Sequence, residues 1–228
     1  MQANYMHIVL VLDRSGSMQA IRDDTMGGVN RFLIDQKAQP GRATFTLALF
    51  DDQHDVIYNH DDIALVRPLT LVDYVPRGWT ALLDAIGRSI NSTGAWLRML
   101  PEDHRPSKVL FAIMTDGQEN ASKEFTREQI NRMIEHQREK YKWEFVFLGA
   151  NQDAISVGSS YGIPMASSMT YAANAMGTAS AMDSFTRMSG SLRSGKIKSA
   201  AFCNADRIAA RGGTESTNTD NSKDASNA

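Results

Sequence analysis

The stretch Ile8-Val9-Leu10-Val11-Leu12-Asp13-Arg14-Ser15-Gly16-Ser17 decides the fold. Five aliphatic residues in an unbroken run predict a strand buried on both faces, as in a parallel sheet covered by helices on each side. The run stops at a carboxylate, followed at alternating positions by two hydroxyls. Hard oxygen donors without sulfur or imidazole suit Mg2+, Mn2+ or Ca2+ rather than Zn2+, so this strand end reads as half of a divalent-cation site. Gly16 lets the loop turn tightly with both hydroxyls facing one point.

Working outward, residues 19–38 carry helical periodicity through Ile21, Val29, Phe32 and Leu33, and Gly27-Gly28 predict close packing in its middle. Pro40-Gly41 make a turn, 43–50 reads as a strand, and 55–59 as the return arm of a hairpin at the sheet edge. Residues 60–79 are loop-like. Thr80 is expected to open and cap a helix carrying Leu82, Leu83, Ile86 and Ile90 on one face, with an interruption at Gly94 and an end at Pro101. A second unbroken apolar strand, 108–114, runs into Thr115-Asp116-Gly117. Residues 126–140 form an amphipathic helix with Thr126 as cap and Glu128-Gln129 in the first turn. A buried strand at 143–148, a helix near 151–161, a short strand at Ile163-Pro164-Met165 and a last helix over 172–193 complete the pattern. The expected class is α/β: a doubly wound, mostly parallel central sheet with one antiparallel edge strand and helices on both faces. Ligands of such sheets bind outside the carboxyl ends of the strands, where Asp13 and Asp116 both fall.

At 228 residues the chain is long enough for one well-buried domain, or two small ones. Its 24 basic and 26 acidic residues leave a net charge of −2, which gives no support to a nucleic-acid partner. The single Cys203 excludes an intramolecular disulfide and fits a reducing compartment. The apolar run at 8–12 is too short for a signal-peptide core, and no stretch approaches the roughly 20 apolar residues of a membrane span. A cytoplasmic location without membrane association is therefore expected. Apolar content falls from about Lys196, and no large hydrophobe follows Arg211. The folded domain is expected to cover 1–195, with 196–228 a polar tail that is disordered beyond about 211.

The chemistry-bearing set is Asp13-x-Ser15-x-Ser17, Thr80 within Gly78-Trp79-Thr80-Ala81-Leu82, and Asp116 within Thr115-Asp116-Gly117. Taken singly, each segment also reads as an ordinary turn or helix cap. Together, in this order and these settings, they resemble the metal-ion-dependent adhesion site (MIDAS) of von Willebrand factor A (vWA) domains, over roughly residues 5–190. All five positions match that pattern. The resemblance implies a Rossmann-like vWA fold of the stand-alone intracellular bacterial or phage type. It makes Ser15 and Ser17 direct ligands of Mg2+ or Mn2+ (Ca2+ being a further candidate) and Thr80 a ligand that depends on conformational state. Asp13 and Asp116 would act through bound water. It further implies that the ion is completed by an Asp or Glu of a partner protein. The implied function is a metal-dependent protein-binding module serving as an adaptor or assembly subunit, not an enzyme. The alternative is a phosphate or ester hydrolase on the same cation site, for which His54 and His104 lie outside the metal loops.

Arg14, Arg77, Trp79 and Gly117 are expected on the partner-binding rim; the arginines also read as solvated, and Trp79 as packed under the loop. Asp51-Asp52, Asp55 and Asp61-Asp62 read as solvated hairpin acids, and Asp84 as a first-turn helix carboxylate near Thr80. Met165, Met169, Met176, Met182 and Met188 read as core filling on the last helix and its approach.

Overall fold

The computed structural model describes residues 1–150 and 152–213. The expected disorder of the end of the tail falls mostly on 214–228, outside the described residues. In chain order the elements are β1 (Gln2–Asp13), α1 (Arg22–Ala38), β2 (Arg42–Phe50), β3 (His54–Asp62), α2 (Leu82–Met99), β4 (Pro106–Thr115), α3 (Arg127–Tyr141), β5 (Glu144–Ala150), α4 (Ala154–Ser160), β6 (Ser168–Tyr171), α5 (Ala175–Arg193) and α6 (Asn204–Ala210). The sheet runs β3-β2-β1-β4-β5-β6. Its pairs are parallel except for the β2–β3 hairpin at one edge, as the sequence predicts.

β1 lies at the centre because it has an apolar side chain for each face. Ile8, Leu10 and Leu12 enter the core shared with α1 and α5, while Val9 and Val11 enter the opposite core beneath α2 and α3. Sequence order turns back at the β1–β4 junction, with β2 leaving on one side and β4 on the other. This is the switch point of the doubly wound sheet, where its top opens. On one layer α1 and α5 pack so closely at Gly28 that an added Cβ would lie 2.6 Å from Met182 Cγ. Met169, Met182 and Met188 fill this core, whereas Met165 and Met176 are exposed.

Four expectations change. Helix α2 runs unbroken through Gly94. Thr80 does not cap it; the free N–H groups of its first turn go to a neighbouring loop, Leu83 N to Glu119 Oε2 (2.9 Å) and Asp84 N to Ser122 Oγ (3.1 Å). The last strand lies at β6 and not at Ile163-Pro164-Met165, where Pro164 has no N–H for a ladder. Packing also continues past 195: Ala200, Phe202 and Ala210 are buried, and Ala172 N donates to Ala210 O at 2.9 Å. Arg207 ties α6 to the carbonyls of Ser168 (2.5 Å) and Met165 (3.0 Å). A few apolar side chains and a line of backbone bonds hold this segment, a signal too sparse to register as hydrophobic periodicity. The capping box of α3 forms as expected, with Gln129 N on Thr126 Oγ1 (3.3 Å) and Thr126 N on Gln129 Oε1 (2.7 Å).

One core residue carries a pH prediction. His7 is fully buried against the stacked pair His60 and Trp96, with Nδ1 2.9 Å from Thr44 Oγ1. Burial first, and His60 second, push its pKa down to about 3 from 6.5. Below pH 6.5 the unfolded chain binds a proton that the folded chain refuses, so stability falls as pH drops, by about 1.4 kcal/mol per unit until the folded value is reached. Urea unfolding is expected to show about 2 kcal/mol lost to this group between pH 7 and pH 5. His7→Leu removes that share of the acid sensitivity; an unchanged difference between the two pH values would refute the assignment.

Candidate metal centre

Three segments meet above the β1–β4 junction. Asp13 ends β1 and is wholly buried. Its Oδ1 accepts from Ser15 N (2.6 Å), its Oδ2 from Thr115 Oγ1 (2.5 Å), and its backbone carbonyl from Tyr74 OH (2.6 Å). The Thr115 hydroxyl is fixed in turn by Gly117 N at 3.1 Å. Ser15 is buried and Ser17 exposed, with their oxygens 3.1 Å apart, and Ser17 Oγ donates to Asp116 Oδ1 at 2.6 Å.

Thr80 arrives from the far side. Its N–H donates to Asn120 Oδ1 (2.9 Å) and its carbonyl accepts from Asn120 N (3.0 Å), so a two-point clamp sets its position. A Cβ added at Gly117 would lie 2.8 Å from Thr80 Oγ1 and 3.5 Å from Asp13 Oδ2. Thr80, Asp13 and Gly117 therefore converge on one point, and only glycine fits at 117 without displacing the hydroxyl. All five residues singled out in the sequence come together here.

Burial pushes the Asp13 carboxyl up to about 6; the bonds from Thr115 and Ser15 oppose this, and nearby Asp116 adds to it. Burial also raises Asp116, against the bond from Ser17. Neither carboxylate has an ion-pair partner among the described residues. Two acids, three hydroxyls and no basic side chain form a donor set that fits a hard divalent cation. Among the described residues no three His, Cys, Asp or Glu side chains gather as a metal-holding group, so the hydroxyls are what sets this place apart.

The rim differs from expectation. Arg14 is buried and turned away from the two acids, its Nε on Asp51 Oδ2 (3.0 Å) and its Nη2 on Asp55 Oδ2 (2.5 Å). Arg77 joins the same pair, with Nε 2.8 Å from Asp51 Oδ2. Asp51, read from sequence as a solvated turn acid, is thus a buried hub. Burial would raise its carboxyl, but the bonds from Arg77 and Gln53 N–H and the charge of Arg14 outweigh that and hold it below the usual range. Asp84, expected beside Thr80, is turned to the loop before α3, where it accepts from the N–H groups of Lys123 (2.8 Å), Glu124 (2.9 Å) and Phe125 (3.0 Å). Trp79 is 68% exposed. Tyr74, Asn120, Glu119 and Thr115 were not singled out in the sequence. Only Thr115, beside Asp116 at a strand end, carried a local signal.

No family model matches the chain, and no curated protein sequence does. Solved structures do. The chain is similar to proximal thread matrix protein 1 from the mussel byssus, with 16% identity over 82% of this chain and 46% of that one and a TM-score of 0.55. It is similar to the ArnB paralog VWA2 from Sulfolobus acidocaldarius, with 15% identity over 80% and 44% and a TM-score of 0.51. A third match is von Willebrand factor type A from Catenulispora acidiphila, with 13% identity over 81% and 42% and a TM-score of 0.53. Another structure of the mussel protein, at 17% identity and a TM-score of 0.53, has a zinc-occupied MIDAS motif. The chain spans less than half the length of each of these proteins. Strand order, the antiparallel edge and these likenesses agree: the chain has the von Willebrand factor A fold.

Proposed function

We propose that this chain is a metal-dependent protein-binding module. In this reading Asp13, Ser15, Ser17, Thr80 and Asp116 form a complete MIDAS for Mg2+ or Mn2+, with Ca2+ a further candidate. The site docks an Asp or Glu carboxylate of a partner protein. The observation that carries the proposal is the convergence of two buried or half-buried, uncompensated carboxylates and three hydroxyls at the switch point of the sheet. A divalent cation bound there supplies positive charge and an open position for one more anionic oxygen. The chain's own residues do the rest. The N–H of Ser15 and the hydroxyl of Thr115 hold the Asp13 carboxylate in one orientation. Asn120 holds Thr80, and Ser17 and Asp116 hold each other.

Hydrolysis on the same site is supported less well. It needs a base beside the carboxylates, and His54, which lines the hollow next to Thr80, has its Nε2 at 3.1 Å from Ser89 Oγ. The proposal includes an adaptor or assembly role of the stand-alone intracellular kind, in the cytoplasm and without nucleic acid or membrane. In support, Cys203 is unbridged, and among the described residues no helix is long and apolar enough to cross a membrane.

The test is whether a carboxylate and the ion bind together. Calorimetric titration of Mg2+ into EDTA-stripped protein is expected to give one saturable site whose affinity rises when acetate is present, because each ligand supplies part of the other's binding energy. Affinity that ignores acetate would overturn carboxylate docking, and absence of saturable binding in either condition would overturn the site.

A further inference from the structure

Residues 66–79 contain neither strand nor helix, yet they are fixed at many points. Lys37 Nζ donates to Val66 O (2.5 Å), and Asn30 bonds Leu69 both ways, at 3.0 Å and 2.7 Å. Arg67 clasps Asp73 through two bonds of 2.6 Å. Tyr74 reaches the Asp13 carbonyl, and Arg77 N donates to Arg14 O at 2.8 Å. The segment thus climbs along α1 from its C-terminal turn to the candidate metal centre. A connection this long without regular structure is usually functional.

Large apolar side chains stand out on it and beside it, among the exposed Arg67, Thr70 and Arg77. Leu65, Leu71, Val72, Val75 and Trp79 are all at least half exposed, Val72 at 88%. Ile34, 64% exposed, belongs with them. It lies four residues after Asn30 and three before Lys37, the two α1 residues that bond the segment, so it shares their helix face. Scattered exposed hydrophobes are ordinary, but six along one immobilised flank are not. The segment bears the entropy cost of being fixed, while these side chains keep half or more of their surface in solvent.

We propose that this flank is the apolar half of a docking surface whose other half is the candidate metal centre. It fits a partner segment presenting one Asp or Glu with two or more large aliphatic or aromatic residues beside it. This rests on the docking reading above. Two observations commit the flank to that partner. It is continuous with the site, since Trp79 precedes Thr80 and Gly16 N donates to Gly78 O at 3.3 Å, tying the segment to the serine loop. And its half-exposed arginines are already ion-paired, Arg77 with Asp51 and Arg67 with Asp73, so neither offers an unpaired charge to a second acid, and the contacts left beyond the first carboxylate are apolar.

The test selects a random twelve-residue phage-displayed peptide library on the immobilised full-length chain in Mg2+, with elution first by EDTA and then by low pH to recover any metal-independent binders. Binders are expected to carry one acid and at least two large apolar residues. Val72→Asp and Ile34→Asp should each weaken them roughly tenfold or more, while the Mg2+ affinity of the Val72→Asp protein stays at the wild-type value. Mg2+-dependent binders indifferent to both variants would overturn the flank and leave the metal reading standing. EDTA-insensitive binders lost in Val72→Asp would keep the flank as a docking face and overturn the metal reading. Self-association in sedimentation that Val72→Asp abolishes would assign the flank to a second copy and overturn the proposal, and a library that yields no binder would overturn both halves.

Discussion

Magnesium titrated into the Ser15→Ala/Ser17→Ala protein is expected to give no saturable heat under conditions where the wild type binds one ion. Changes to groups that only orient a metal's ligands cost about 10–100-fold in affinity. Removing two hydroxyls that are direct ligands in this reading should exceed that, a loss of roughly 3 kcal/mol or more. The double variant is a fair test because these hydroxyls hold little else. Ser15 Oγ contacts Ser17 Oγ and bonds the Asp13 carboxylate, which keeps Thr115 Oγ1 and Ser15 N, and Ser17 Oγ donates to Asp116. The backbone bonds that shape the loop, Ser15 N to Asp13 and Met18 N to Ser15 O, survive the change. Unfolding midpoints measured without metal should therefore stay close to wild type, within about 1 kcal/mol. Equal heats from the two proteins would show that any ion binds elsewhere.

The parts of this molecule that were legible in the sequence share a cause: their information is local. The strand at 8–12 reads correctly because its continuous aliphatic residues serve two cores at once. The meeting of the Asp13 and Asp116 loops was legible because a buried strand that stops at a carboxylate is informative wherever it occurs, and two such stops share the carboxyl end of a parallel sheet. Thr126 and Gln129 cap each other across three residues, so their box was visible too. What failed was set by partners distant in the chain. Thr80 has the chemistry of a cap, but Asn120, forty residues on, takes its N–H, and Glu119 and Ser122 supply the cap instead. Arg14 sits between Asp13 and Ser15 and looks like a rim residue until Asp51 and Asp55 are brought beside it. The segment after 195 looks like a tail because its apolar residues are few and mostly alanine; only the core beside α5, the Ser168 carbonyl that takes Arg207 and the Ala166 carbonyl that takes Phe202 N give it somewhere to go.

The same long-range dependence yields the second large effect. Asp51→Ala is expected to lower stability by about 3 kcal/mol and to weaken Mg2+ binding about 10–100-fold, although Asp51 touches none of the five candidate ligands. Its carboxylate accepts from Arg14 Nε (3.0 Å), Arg77 Nε (2.8 Å) and Gln53 N (2.6 Å), and it is wholly buried. Without it, the buried Arg14 guanidinium keeps only the half-exposed Asp55, and a charge removed from water loses most of its compensation. The two arginines also stand beside the two halves of the site. Arg14 lies between Asp13 and Ser15, Arg77 three residues before Thr80, and Ala81 N donates to the Asp51 carbonyl. Left with only Asp55 and, for Arg77, Gln53 Oε1 (3.1 Å), the two guanidinium groups loosen and let the serine loop and the threonine loop move apart, so the oxygens converge less well before an ion arrives. Asp51→Asn separates charge from shape: it keeps an acceptor for one arginine and should fall between wild type and alanine in both measurements. An alanine variant with wild-type stability and wild-type Mg2+ affinity would show that the loops are held by their backbone bonds alone, and that the buried arginine–aspartate hub contributes nothing to assembling the site.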